Sequence, residues 1–72
     1  MKTLTIYVTY NIMLPMDERM EMLFQNQEDA IRYAKACMPD EEFHVRHSER
    51  SAYVVSDSDY KYHWAIHGRT VF

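Results

Sequence analysis

Apolar and polar side chains alternate strictly along residues 3–10, which is the pattern of a β-strand with one buried face. We predict that this strand turns four side chains into the core, namely Leu4, Ile6, Val8 and Tyr10. Its other face then carries Thr3, Thr5, Tyr7 and Thr9. Asn11 and Pro15 interrupt the alternation and predict a loop over residues 11–18. Alternation returns over residues 19–24, which predicts a second strand with Met20, Met22 and Phe24 on one face.

A helix is predicted over residues 27–38. Asn26 is a favourable N-cap, acidic residues occupy the first turn, and Pro39 stops the pattern. Helical spacing places one apolar stripe toward the core, made of Ala30, Ile31, Ala34, Cys37 and Met38. Because Cys37 lies on this stripe, at the negative end of the helix dipole, we interpret it as a core residue rather than a nucleophile.

Three further strands are predicted in the second half of the chain. Alternation after residue 43 places Phe43 and Val45 on one face, and residues 52–55 form a short apolar strand. The polar residues 56–59 predict a turn. In the last strand, residues 60–67, the predicted inward side chains are Tyr60, Tyr62, Trp64 and Ile66. The predicted outward ones are Lys61, His63, Ala65 and His67.

The elements therefore follow the order β-β-α-β-β-β in a single domain, residues 1–72. We predict an α+β fold in which one helix packs on one face of a mainly antiparallel sheet. The other face of the sheet stays open, as antiparallel sheets tolerate. The sheet edges carry few lysines and no strand proline, from which we expect a homodimer formed through an edge strand or the first loop.

The size of the chain argues against an enzyme. A domain of 72 residues buries only about 60% of its unfolded surface, which leaves little room for a cofactor pocket beside a catalytic site. Gly68 is the only glycine, so glycine-rich phosphate-binding loops are excluded. We expect neither catalysis nor a cofactor. The single cysteine and the lack of a long apolar run predict a protein of the cytoplasm without membrane contact.

The four histidines do not form a predicted metal site. His44 and His47 are three residues apart on a strand and point to opposite faces. His63 and His67 share a face but lie about 13 Å apart, at roughly 3.3 Å per residue. One ion cannot bridge that distance. We therefore predict no native metal.

Two groups of residues are candidate partner-binding surfaces. The first is the loop around Pro15, which is unusually apolar and consists of Ile12, Met13, Leu14 and Met16. Two interpretations stay open for it: an exposed patch for a partner, or a structural segment that either caps the core or continues the first strand to Leu14. The second is the open sheet face, for which alternation selects Tyr7, His44, Arg46, Lys61 and His63.

Charge bears on the class of partner. The net charge is −3, which is too acidic for a general nucleic-acid binder. Residues 43–72 are the more basic half, with four bases and three acids, and they hold all four histidines. We expect a protein partner first. A nucleic acid bound to the aromatic and basic open face is the alternative.

Residues 23–34 read LFQNQEDAIRYA and are followed by Pro39 and by FHV at residues 43–45. This layout resembles very small bacteriophage proteins that disable host machinery, such as the inhibitors of bacterial RNA polymerase and one-helix anti-CRISPR proteins. The resemblance implies a compact, non-enzymatic inhibitor or adaptor. It would act in the host cytoplasm by occluding a bacterial protein or protein complex.

Overall fold

The computed structural model describes residues 4–71, so Thr3 lies outside the described residues. It contains one helix and five strands, all antiparallel in one sheet of order β2-β1-β5-β4-β3. The strands are β1 (Leu4–Asn11), β2 (Met22–Phe24), β3 (Phe43–His47), β4 (Ser51–Ser56) and β5 (Tyr62–Val71), and the helix is α1 (Gln27–Ala36). A 3-10 turn, Met16–Glu18, interrupts the first loop. The predicted α+β fold with one helix on the sheet is confirmed.

The helix begins where the sequence predicts and ends earlier. The Oδ1 atom of Asn26 accepts a hydrogen bond from the backbone N–H of Asp29 at 2.8 Å. The last helical hydrogen bond joins the backbone N–H of Cys37 to the carbonyl of Tyr33 at 3.2 Å, and the helix ends at Ala36 because Met38 precedes Pro39, whose ring disfavours helical backbone at the residue before it. Cys37 is consequently exposed, so its prediction as a core residue is wrong.

The core forms where α1 lies across the middle of the sheet. Ala30 and Ala34 are fully buried, and their small side chains bring the helix close to the strands. The sheet side of this cluster consists of Ala52, Val54, Trp64 and Ile66. Trp64 is only 6% exposed, which confirms that it points inward.

Strand β1 faces the opposite way from the prediction. Thr9 pairs with Ile66 and is fully buried, and Tyr7 packs against the core over Gly68. The ring of Tyr7 fits there because Gly68 has no side chain; a Cβ at Gly68 would come within 3.2 Å of that ring. The face predicted to be buried lies on the open side of the sheet, although Val8 is only 5% exposed there; its members are Leu4, Ile6, Val8 and Tyr10.

A β-bulge explains the errors in β5. Val54 pairs with Trp64, but its neighbour Val55 pairs with Tyr62, so one extra residue, His63, stands between the paired positions. The shift turns Tyr62 to the open face and buries His63 beside Phe43. Tyr60, two residues before Tyr62, is 78% exposed and directly follows the turn, so its predicted inward position is wrong.

Strand β2 is shorter than predicted. It covers only Met22–Phe24 and pairs with β1 from Tyr7 to Thr9. Phe24 packs against the core as expected. Met20 lies before the strand and is 77% exposed, so it does not contribute to the core.

We predict that Trp64→Ala destabilises the protein by about 3–5 kcal/mol, because a large buried aromatic side chain leaves a cavity. A domain of this size has little more stability than that, so the variant should be largely unfolded at 25 °C. Urea unfolding followed by circular dichroism measures the loss, with Tyr60→Ala as the control. A Trp64→Ala variant as stable as Tyr60→Ala would contradict the described core.

We predict that two copies of the chain associate through an edge strand or the first loop. Among residues 4–71, strands β2 and β3 are the two edges of the sheet, and each leaves a row of backbone groups without a strand partner on one side. Sedimentation at high micromolar concentration, under reducing conditions because Cys37 is exposed, should show a dimer. Detection of only the 8.7 kDa monomer would exclude this.

Candidate binding surfaces

The first loop is held in place by Arg19. Its guanidinium donates one hydrogen bond to the carbonyl of Leu14 and another to that of Ile12, both at 2.9 Å. The same group lies 5.3 Å from the centre of the Tyr10 ring, within reach of a cation–π contact. These contacts fix the loop backbone while leaving its apolar side chains free to point outward.

The loop is exposed and does not cap the core. Leu14 is 40% exposed, Met13 and Met16 are more exposed still, and Ile12 is half-buried. Of the two interpretations left open by the sequence, the structure therefore favours the exposed patch. Met20 and Met22 stand beside the loop and extend its apolar surface; Met22 lies in β2 as predicted, whereas Met20 precedes that strand.

A groove of about 200 Å³ opens between this loop and the helix. We call it the methionine groove, and its lining is mainly apolar: Leu14, Met20, Met22, Tyr33 and Trp64, with Asn11 and Glu18 as its polar members. Within the described residues, the indole N–H of Trp64 is buried and has no hydrogen-bond partner. A buried donor without a partner costs about 1–3 kcal/mol, so this N–H is an unfavourable feature of the fold.

The open face of the sheet carries four aromatic side chains in contact. We call them the aromatic row; in the order of their contacts they are Tyr62 on β5, Tyr53 on β4, His67 on β5 and Tyr10 on β1. Their ring centres are separated by 4.9, 5.9 and 5.6 Å. Both ring nitrogens of His67 are engaged, Nδ1 with the Ser51 hydroxyl at 2.9 Å and Nε2 with the Tyr10 hydroxyl at 3.1 Å.

The predicted open-face residues divide into two groups. His44 and Arg46 lie on that face and Lys61 is exposed, and His44 Nδ1 is 2.5 Å from a carboxylate oxygen of Asp57. Tyr7 and His63 do not belong to this surface, because β1 is reversed and the bulge turns His63 inward. Alternation alone missed the aromatic row, since it does not reveal which face the helix covers.

The bulge is anchored by Asp59. The carboxylate accepts a hydrogen bond from the backbone N–H of Lys61 at 2.9 Å and lies 3.3 Å from His63 Nε2. The hydrogen bond from Lys61 holds the pKa of Asp59 below its ordinary value, and His63 acts in the same direction. This cluster is therefore a structural support of β5.

Within residues 4–71, no group of three or more histidine, cysteine, aspartate or glutamate side chains is placed to hold a metal ion. Over the same residues, no helix is long and apolar enough to cross a membrane. Comparisons with models of known protein families, with curated proteins and with solved structures found no match.

We predict that acid weakens the fold partly through Asp59. A carboxylate with a lowered pKa adds stability above the ordinary aspartate pKa of about 3.9, and this stability is lost as the pH falls through the lowered folded-state value. The urea midpoint of the wild type should therefore fall more between about pH 5 and pH 2.5 than that of Asp59→Asn. Asp40→Asn, at an exposed carboxylate, is the control. Equal pH dependence of Asp59→Asn and wild type would contradict the assignment.

Proposed function

We propose that this protein is a small non-enzymatic inhibitor or adaptor that acts by docking its methionine groove onto another protein. The observation that supports the proposal most directly is the exposure of Leu14, Met20 and Met22 around a groove on an ordered frame. Packing among the described residues does not account for the position of these side chains. Contiguous exposed apolar surface of this kind is typical of protein interaction sites.

The backbone of the first loop and the methionine side chains beside it contribute to binding in different ways. Because Arg19 already fixes the loop backbone, little conformational freedom remains to be lost when a partner docks. Methionine side chains are flexible and polarisable, so they adapt to the shape of an apolar surface. The combination gives a preorganised backbone with an adaptable contact surface.

The lining of the groove defines the chemistry of its occupant. An apolar side chain of the partner would fill the space between Leu14 and Met22. Glu18 at the rim favours a lysine or arginine next to it.

Occlusion is a mode of action that the size of the protein permits. A standard interface buries about 800 Å² on each partner, roughly a seventh of the 5476 Å² accessible surface of this chain. The methionine groove with its surrounding loop would form the centre of such an interface. The resemblance to small phage inhibitors makes a bacterial host protein the first target to seek.

The test is capture of a partner from bacterial lysate on the immobilised protein, followed by calorimetry with the purified partner. We predict that Leu14→Asp and Met20→Asp each weaken binding by at least about 30-fold, because a central contact residue contributes about 2 kcal/mol or more. Both side chains are exposed, so the melting temperature should stay close to that of the wild type.

Leu4→Asp is the matched control. It places the same charge at a 48%-exposed leucine at the far end of β1, about 23 Å from the groove at roughly 3.3 Å per residue. Binding by Leu4→Asp should equal that of the wild type. If Leu14→Asp and Met20→Asp bind as well as Leu4→Asp, the groove is not the docking site.

A further inference from the structure

The aromatic row lies outside the methionine groove and is not used by the proposed protein docking. It crosses β4, β5 and β1 on the face that the helix leaves uncovered. Tyr62 is 39% exposed, and the other three rings are half-buried. A line of partly exposed rings on an uncovered sheet is the arrangement on which successive nucleic-acid bases stack.

The charged side chains on this face are mainly positive. The four longer strands, β1, β3, β4 and β5, contain no aspartate or glutamate. Arg46 and Arg69 are exposed, each on a strand that borders or carries part of the row. Glu21 lines the same depression as Arg69, and Asp57 pairs with His44. The protein is acidic as a whole, but this face is not.

A depression of about 560 Å³ lies at the β1 end of the row. Its lining combines rings and charges: Tyr10, Met16, Arg19, Glu21, His67 and Arg69. The guanidinium of Arg19 is committed to the loop carbonyls, so the exposed Arg69 is the cation better placed to meet an anion there. The depression provides room beside Tyr10 for a base and its phosphate.

The row is also preorganised. Hydrogen bonds from both sides hold the His67 ring, and Tyr53 and Tyr62 stack on each other at an interplanar angle of 26°. Rings held in this way lose little freedom when a ligand stacks on them. Stacking on a ring face requires no free hydrogen-bonding atom, so the engaged nitrogens of His67 are no obstacle.

We propose that the aromatic row, together with Arg46 and Arg69, binds a single-stranded polynucleotide by base stacking and phosphate contact. This activity goes beyond the protein docking proposed above and depends on different residues. Bases in a duplex are already stacked on one another, so a duplex should not occupy the row. Every base has an aromatic face, so we expect little dependence on sequence.

The probe is a fluorescently labelled oligouridylate of about twelve nucleotides, titrated with the full chain and followed by anisotropy. We expect a Kd of about 1–100 μM that weakens as salt is raised, as for sequence-independent binding. Tyr62→Ala should weaken binding by about tenfold, whereas Tyr62→Phe, which keeps the ring, should not. Arg46→Glu should weaken binding and reduce the slope of log K against log salt by about 0.7.

Matched controls separate the row from general effects. Tyr60→Ala removes a tyrosine that is exposed but outside the row, and Arg32→Glu reverses a charge on the helix. Both should bind the oligouridylate as the wild type does, and so should Leu14→Asp. The proposal is overturned if the oligouridylate does not bind, if a duplex binds equally well, or if Tyr62→Ala and Tyr60→Ala lose the same amount of affinity. None of these results bears on protein docking at the methionine groove.

Discussion

The contact between α1 and the centre of the sheet is the interaction on which the rest of the structure depends. Ala30 and Ala34 bring the helix close to Trp64 and Ile66, and these four side chains are almost completely buried. Alanine makes this possible because a larger residue at either position would hold the helix away from the strands. In a domain this small, one well-packed contact of this kind supplies much of the stability.

The same contact explains why both candidate surfaces exist. A helix of ten residues covers the middle of one sheet face and leaves the far side open. Trp64 belongs to the core cluster and also lines the methionine groove. The groove is thus continuous with the core, which gives a docking partner a rigid base to pack against.

The helix does not cover the open face of the sheet, and the side chains of that face pack against one another instead. The aromatic row packs ring on ring, and the small residues beneath it, such as Val8 and Ala65, are buried although no helix lies above them. The face is therefore ordered without being closed. An ordered but open aromatic surface is suited to binding flat groups, whereas the flexible methionines at the other site are suited to irregular apolar ones.

Local patterns determined the elements of this protein. Alternation located β1 and much of the strand structure after residue 43, and Asn26 with Pro39 placed the helix to within two residues. The apolar loop was recognisable because its composition conflicts with the usual surface role of loops.

What the tertiary structure decided is which face of each strand is covered. An alternating pattern does not show which of the two faces is buried. In β1 both faces carry side chains that suit a strand, so only the packing over Gly68 and Ile66 determines that the threonine face is the covered one. The bulge at His63 likewise depends on pairing with β4, because an extra residue in a ladder has no signature in the strand that contains it. Because β1 is reversed and β5 contains the bulge, Tyr7 and His63 do not lie on the open face, and the aromatic row forms there instead.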